Sequence, residues 1–373
     1  MMKSNFMDKI NNYNYVDSVI ESLKDSNLPL IIWGGGIAAE HIYKILEKNG
    51  VDVDYIAVNK AYWKPNQKLF QKPVFAFEDL MNENIKVNVL IAFSAYTEEG
   101  YKKFLKEDVV ENIYKFDFLE CAFEKPDIDY VKQNCVAFEN LYNSLEDAVS
   151  KETLIAYVNQ CITKDLKFLE PLKCEEQYFL PELKLGYQSE TFLDCGAYDG
   201  DTILKFVQHI GEGDTPCGCE HIYAIECDNL NFDKLKSVEN ELGLFKNKVK
   251  QVTLLNTGLW CEKGKLSFNN RGSISSKIDS DGELTIEVDT IDNLVNGASV
   301  TFIKMDIEGA ELNALKGAEK TIKKYRPRLA ICVYHKKDDL LNMFRYIKTL
   351  HEDYKLCLRA HSIFTEELVL YAF

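Results

Sequence analysis

The chain has 373 residues, more than one typical domain, and it is 46% hydrophobic and 28% charged, an ordinary balance for a globular protein with sizeable cores. Lysine and arginine number 44 against 59 aspartates and glutamates, a net charge of -15. That field repels phosphate backbones and anionic membrane surfaces, which argues against a nucleic-acid substrate. No apolar run reaches the roughly 18 residues of a membrane span. The N-terminus lacks the apolar stretch of a signal peptide, and the 11 cysteines, an odd number, suit a reducing cytoplasm without a disulfide framework.

In chain order, Tyr15, Val16, Val19, Ile20 and Leu23 fall at helical spacing, and Asn27-Leu28-Pro29 ends that helix. Leu30 to Trp33 reads as a short apolar strand, Gly34-Gly35-Gly36 as a turn, and Ile37 to Lys48 as a helix. Strands at Val53–Val58, Val87–Phe93 and about Ile113–Phe116 would complete a small parallel sheet. Residues 1–125 are therefore expected to form a Rossmann-like α/β domain. Its turn, Gly34 to Ala39, reads Gly-x-Gly-x-x-Ala, a weak match to a dinucleotide site, and Asn59 stands where such a site wants an acid for ribose. Two readings stay open there: a plain helix-start turn, or a module that binds a nucleotide or nucleotide-linked sugar.

Residues 126–185 change period. Tyr130, Val131, Cys135, Phe138, Leu141, Tyr142 and Leu145 step by three and four, as do Leu154, Tyr157, Val158 and Cys161. They predict a helical connector of two or three helices, and with no low-complexity linker on either side it should dock the flanking units firmly.

Residues 186–373 form a second α/β region. Its most informative stretch is Thr-Phe-Leu-Asp194-Cys-Gly196-Ala197-Tyr198-Asp199-Gly200-Asp-Thr202, a strand, a glycine turn and a helix start. That arrangement offers backbone N–H groups and a helix N-terminus to a polar ligand head, and Gly196 can take a positive φ. An acid at the strand tip is wrong for pyrophosphate and suits a cationic amine. Next come Ile222-Tyr-Ala-Ile-Glu226, a helix from Asn229, a strand from Val252 to Leu255 ending at Asn256, and an insertion around Gly272–Ser276 and Leu284–Val288. Val300 to Met305 leads to Asp306-Ile-Glu308-Gly309, Arg328 to Tyr334 leads to His335, and Tyr354–Ala360 with Leu368–Phe373 read as a closing antiparallel pair. Cys217-x-Cys219-x-His221 has no second ligand pair at finger-like spacing and is read as a turn. Successive βα units thus put Asp194, Glu226, Asn256, Asp306, Glu308 and His335 on one sheet edge, where open α/β sheets bind ligands.

The Asp194–Thr202 turn, the Ile-Tyr-Ala-Ile-Glu226 strand and Lys304-Met-Asp306-Ile-Glu308-Gly309-Ala-Glu311 resemble the FkbM family of S-adenosylmethionine-dependent methyltransferases. The closing strands, Leu-Arg359-Ala-His361 through Val369-Leu-Tyr371, resemble that family's as well, and the resemblance covers about residues 186–373. It implies a class I Rossmann-like methyltransferase fold with a seven-stranded, mostly parallel sheet, and O-methylation of sugars or polyketide hydroxyls. The sequence departs from the common Gly-x-Gly-x-Gly turn in having Tyr198 at the middle glycine.

The resemblance and the strand-end reading agree on roles. Asp194, Gly196, Ala197, Asp199, Gly200, Thr202, Glu226 and Asn256 are the candidates for holding S-adenosylmethionine. Among them Asp194 and Gly196 would meet the methionine amine, Thr202 its carboxylate, Glu226 the ribose and Asn256 the adenine. A hydroxyl acceptor needs a base, for which His335 and Asp306 are the candidates, His335 having the better intrinsic pKa. Lys304 shares the strand face of Asp306 and is a third catalytic candidate or a partner for a carboxylate. Asp306, Glu308 and Glu311 raise a divalent-metal alternative, but Glu308 and Glu311 at a helix start equally complement the helix dipole, and no metal is assigned. The partner expected is a small-molecule or glycan acceptor, with the oligomeric state open. A NAD-dependent oxidoreductase is the remaining alternative, against which the incomplete fingerprint and Asn59 both argue.

Overall fold

The computed structural model describes residues 6–83, 85–93, 98–106, 108–211, 218–238, 248–269, 277–278 and 284–373. Leu30–Trp33 (β1) sends its side chains alternately to two cores, because successive Cβ atoms on a strand point to opposite faces. Leu30 and Ile32 join a core that runs through the whole molecule, while Ile31 and Trp33 join a smaller one with Phe77, Val89 and Ile91. Around β1 lie Tyr55–Val58 (β2), Lys68–Leu69 (β3), Lys72–Ala76 (β4), Val87–Ile91 (β5) and Val110–Tyr114 (β6), in the order β3-β4-β2-β1-β5-β6. All of these pairs are parallel except β3–β4. β3 and β4 are additions to the sequence reading: Pro73 breaks the pattern of a strand that tolerates it near the sheet edge.

The connector holds three helices, Ile128–Gln133, Cys135–Ser144 and Ala148–Thr163. Asp147 caps the last by accepting from the Ser150 amide at 2.7 Å. It also accepts from Arg359 at 3.3 and 3.1 Å, and Arg359 donates to Ser150 Oγ at 2.6 Å. A helix cap thereby anchors the connector to the edge of the C-terminal sheet. Asp117, from the N-terminal region, takes hydrogen bonds from Gln160 at 2.9 Å and from the Thr365 amide at 2.8 Å. Three parts of the chain meet at that one carboxylate, which bears out firm docking over tethering.

His361 makes a similar tie. Its Nε2 lies 2.9 Å from the Tyr371 hydroxyl and its Nδ1 2.9 Å from the Cys174 carbonyl. Burial, aided by Arg359 and Lys173 and opposed by the Cys174 carbonyl and Glu175, lowers its pKa to about 4. The unfolded chain, with a histidine pKa of about 6.5, then binds more protons than the folded one between those values. Stability should therefore be intact above pH 6.5 and fall by roughly 3 kcal/mol as pH drops to 4. Urea unfolding at stepped pH checks this, and His361→Gln should flatten that part of the profile.

The C-terminal sheet contains Glu190–Cys195 (β7), Cys219–Ile225 (β8), Val249–Leu255 (β9), Phe302–Met305 (β14), Arg328–Cys332 (β15), Leu356–Ala360 (β16) and Leu368–Ala372 (β17). Their order is β16-β17-β15-β14-β7-β8-β9, with β17 antiparallel to both neighbours and every other pair parallel. This is the expected seven-stranded, mostly parallel Rossmann-like sheet. The chain leaves β7 to one side for β8 and reaches β14 on the other, so the switch point lies between β7 and β14, where such sheets bind ligands. Between β9 and β14, Gly258–Leu259 (β10), Gly264–Asn269 (β11), Lys277–Ile278 (β12) and Leu284–Asp289 (β13) form a separate four-stranded sheet. The expected turn at Gly272–Ser276 lies outside the described residues. The helix Asp339–Leu350, buried along one face, is a further addition to the sequence reading.

Candidate active site

β7 ends in an acid that does not reach the surface. Asp194 is fully buried, and its Oδ1 lies 3.1 Å from Lys304 Nζ on the neighbouring strand β14. Lys304 also donates to the Gly196 carbonyl at 2.7 Å. Burial pushes the Asp194 carboxyl up to about 6 even though Lys304 pulls the other way, so it is charged at neutral pH. Burial also opposes the charge on Lys304, but Asp194 and then Asp306 outweigh it and hold the ammonium protonated. Lys304 takes the second of its two expected roles, partner to a carboxylate, and Asp194, expected at the methionine amine, is that buried partner. Asp194 and Lys304 form a buried clamp that braces the turn from beneath.

Above the clamp, Gly196 has φ +84, and a Cβ there would lie 1.9 Å from the Asp306 carbonyl oxygen. The glycine is demanded by backbone meeting backbone between the ends of β7 and β14, whereas the sequence reading attributed it to ligand approach. Gly196→Ala is expected to cost at least about 1–2 kcal/mol for the left-handed conformation alone, with the clash added to it. A lowered thermal midpoint with a retained circular dichroism spectrum would be the readout. The Gly196 and Ala197 amides donate to the Ile225 carbonyl at 3.0 and 2.9 Å, which fixes the turn onto β8. Gly200, at φ +90, sits where a Cβ would strike Val238.

Glu226 follows β8. Its two carboxylate oxygens accept the Tyr198 amide at 3.0 Å and the Asp228 amide at 2.7 Å, and burial raises its pKa. Its head is therefore held beside the glycine turn, where the strand-end reading placed it. Asp228 caps the next helix through the Leu230 and Asn231 amides. Asn256 is exposed, and its side-chain amide donates to the Glu226 carbonyl at 3.1 Å. Asp199 is half-buried on the turn and accepts the Asp201 amide at 3.3 Å. Thr202 is buried at the start of the helix Asp201–Gly211, its hydroxyl 3.4 Å from Asp201 Oδ1.

The ends of β14 and β15 bring together a second cluster. His335 is 5% exposed, with Nδ1 3.1 Å from Glu311 Oε1 and Nε2 3.5 Å from Asp306 Oδ1 and 3.7 Å from Glu308 Oε2. Glu311, fully buried, is itself held by the Ile307 amide at 2.9 Å and the Gly309 amide at 3.3 Å. Tyr178, from the connector, donates to Asp306 Oδ2 at 3.1 Å. Asp306 and Glu308 remain part-exposed, and Glu308 takes φ +56, an unusual conformation for a residue other than glycine. Burial alone would lower the His335 pKa, but Glu311, Asp306 and Glu308 reverse it and hold it up at about 9. The ordinary pKa on which His335 was chosen as a base therefore does not hold in the fold.

Other expectations resolve locally. Asn59 is buried and accepts from the Trp33 indole at 3.1 Å, a structural role. A Cβ on Gly34 would lie 2.5 Å from the Ala92 carbonyl oxygen, so that turn is closed against its own sheet. A recess of about 740 Å³ lies instead near the end of the helix Ile37–Lys48, lined by Tyr13, Lys48, Lys125 and Lys164 among others. Cys217 lies outside the described residues, and His221 Nε2 pairs with the Thr253 hydroxyl at 2.8 Å.

Residues 194–356 match the family model described as the Methyltransferase FkbM domain. The C-terminal region is an FkbM methyltransferase domain. A solved structure of methyltransferase FkbM from Methylobacillus flagellatus KT aligns over 98% of this chain and 95% of that one, with TM-score 0.69 and 23% identity, a likeness of fold that extends through the N-terminal region. A precorrin-6y C5,15-methyltransferase from Geobacter metallireducens GS-15 aligns over 55% of this chain and 96% of that one at TM-score 0.30 and 9% identity, too little to carry an argument. No curated protein matches the chain.

Within the FkbM domain, Glu311 was weighed from the sequence as a metal-ligand candidate or an acid complementing a helix dipole, and it proves to be the fixed partner of His335 Nδ1. Tyr178 and Glu367 were not singled out. Glu367, pushed up to about 7 by burial and by Asp306, accepts from Gln177 and from the Tyr334 hydroxyl at 3.5 Å. Both come from segments far from β14 in the chain, and only the fold brings them to it.

Proposed function

We propose that the FkbM domain transfers a methyl group from S-adenosylmethionine to a hydroxyl of a carbohydrate or nucleotide-linked sugar, working in the cytoplasm. The observation that carries the donor half is Glu226. A carboxylate at the tip of the second strand, held by two backbone amides beside a glycine turn, keeps lone pairs for the two hydroxyls of a ribose. When bound, the donor supplies a sulfonium methyl: the acceptor oxygen forms the new bond to carbon, the carbon–sulfur bond breaks with its electron pair left on sulfur, and the hydroxyl proton departs.

The chain's own groups do the rest. Asp199, half-buried on the turn, replaces the buried Asp194 as the acid that meets the methionine amine. Thr202 and the start of the helix Asp201–Gly211 meet its carboxylate. Asn256, exposed beside Glu226, lies next to the base. Asp306, part-exposed at the end of β14, faces the acceptor hydroxyl and takes its proton, with Glu308, which burial pushes up to about 8, beside it. Hydroxyls and amides from Tyr178, Tyr334 and Gln177 surround that end, a lining that suits a polyhydroxylated acceptor.

Isothermal titration with S-adenosylmethionine, then incubation with a panel of nucleotide-linked and free sugars, tests the reading. Donor binding and a product heavier by one methylene are expected. A wild-type protein that binds no donor rejects the proposal.

A further inference from the structure

We infer that Asp306, Glu308 and His335 bind a divalent cation of the Mn2+ or Mg2+ kind at the acceptor end of the site. Three side-chain atoms converge there: Asp306 Oδ1, Glu308 Oε2 and His335 Nε2, all within 4.8 Å of one another. Nε2 lies 3.5 Å from the first and 3.7 Å from the second. Donors on a single ion with bonds of about 2.1 Å sit roughly 3.0–3.5 Å apart, so the two histidine-to-carboxylate distances need close by only a few tenths of an ångström.

A group of acids alone would not point to an ion, because such groups are common on protein surfaces. The second observation is the imidazole. His335 is 5% exposed, and Nε2 is buried with no hydrogen-bond partner among the described residues, as is Asp306 Oδ1, toward which it points. A buried polar atom without a partner is costly unless something fills the space before it. The far side of the ring strengthens the case. Nδ1 lies 3.1 Å from Glu311, and Glu311 is pinned by the Ile307 and Gly309 amides. A carboxylate beside one ring nitrogen is the usual support for a metal-bound histidine, whose other nitrogen presents its lone pair once the ion displaces the proton.

Tyr178 does the same for the second ligand. Its hydroxyl holds Asp306 Oδ2 at 3.1 Å and leaves Oδ1 free to point at the cluster. Glu308 is held at φ +56, next to Gly309, whose carbonyl accepts from Lys336 Nζ. The local charge balance also favours a cation. The carboxyls of Asp306, Glu308, Glu311, Asp339 and Glu367 surround one imidazole, and Lys336 of the same loop is tied to the Gly309 carbonyl.

One nitrogen and two carboxylate oxygens, with part-exposed faces on Asp306 and Glu308, leave room for the acceptor oxygen as a further ligand. An ion there would lower the pKa of a bound sugar hydroxyl and so ease the loss of its proton. That use of the ion rests on the methyl-transfer reading; the existence of the site does not.

The test uses Mn2+ on chelator-treated, full-length protein, read by loss of the free-ion electron paramagnetic resonance signal and by calorimetry, without any donor. One ion per chain is expected, with affinity weakened at least tenfold in both Glu308→Gln and Asp306→Asn. Circular dichroism confirms that each variant folds, and because Glu308 is part-exposed its amide variant should hold the native fold even if the other does not. No binding by the wild type, or binding unchanged in a folded variant, overturns the inference. Titration of S-adenosylmethionine in the presence of chelator is read separately, so a missing donor site and a missing ion site give different results.

Discussion

Lys304→Met is expected to lower the free energy of unfolding by about 3–5 kcal/mol, the loss typical of removing one partner from a buried ion pair. Lys304 is 3% exposed and Asp194 not at all, so the variant leaves a carboxylate in a core that offers no other cation within bonding distance among the described residues. The carboxyl, already at about 6 through burial, would then rise further and take up a proton on folding. For a domain of this size such a loss corresponds to a drop in Tm of about 6–20 °C. The sign with pH follows. In the wild type the folded carboxyl sits above its unfolded value near 3.9, so at neutral pH its charge is a cost that only Lys304 offsets. Without the lysine the penalty grows as pH rises, and Lys304→Met should be nearest to wild type in mildly acidic solution.

Differential scanning calorimetry across pH is the measurement. A paired variant, Lys304→Met with Asp194→Leu, should recover most of the loss, because replacing both charges removes the stranded one. Recovery would remain incomplete, since Lys304 also holds the Gly196 carbonyl. If the single variant melts within a degree or two of wild type, the clamp is not what braces the turn.

Glu226→Ala is expected to raise the Kd for S-adenosylmethionine by about 10- to 150-fold. Hydrogen bonds to a charged group contribute about 1.5–3 kcal/mol, and each 1.4 kcal/mol is a factor of ten. The carboxylate has two tasks, and the variant design separates them. Its oxygens hold the Tyr198 and Asp228 amides, so the alanine variant loosens the turn as well as losing the ribose contact. Glu226→Gln keeps one acceptor oxygen and the size of the side chain but gives up the charge. It should fall between the two in affinity, with a Tm below wild type because its NH2 cannot accept one of the two backbone amides. Calorimetric titration of all three proteins decides the matter. Equal affinity in wild type and alanine variant would remove the donor site from this strand end.

The two clusters differ in how far they could be read from the chain alone. Glu226 was legible because a carboxylate after an apolar strand and before a capped helix has one place to go in a parallel α/β sheet, the carboxyl edge. The same logic put Asp306 and His335 on that edge, and they are there, 3.5 Å apart. It failed for Asp194, which sits at the strand tip in sequence yet is fully buried in the fold. Whether an acid at a strand end faces out depends on what the next strand carries. Here β14 places Lys304 opposite it in register, and that pairing is a property of the sheet order.

His335 shows a second kind of limit. Its residue type suggested a base with an ordinary pKa, because sequence carries intrinsic values only. Glu311, Asp306 and Glu308 come from the segment after another strand, and their combined field, set by distances near 3–4 Å, decides its charge. Tyr178 and Gln177 could not be placed at all from local pattern, since the connector reaches β14 and Glu367 only through the docked helices.

Periodicity along the chain determined the strands and helices, the helical connector and the polar edge of the C-terminal sheet. Those features depend on interactions between near neighbours in sequence, where a step of two or of three to four residues decides which face is apolar. Tertiary structure alone decided which of the edge residues are exposed, which are paired and what charge they carry. Burial and electrostatic fields are sums over atoms from distant segments, and no local pattern encodes them.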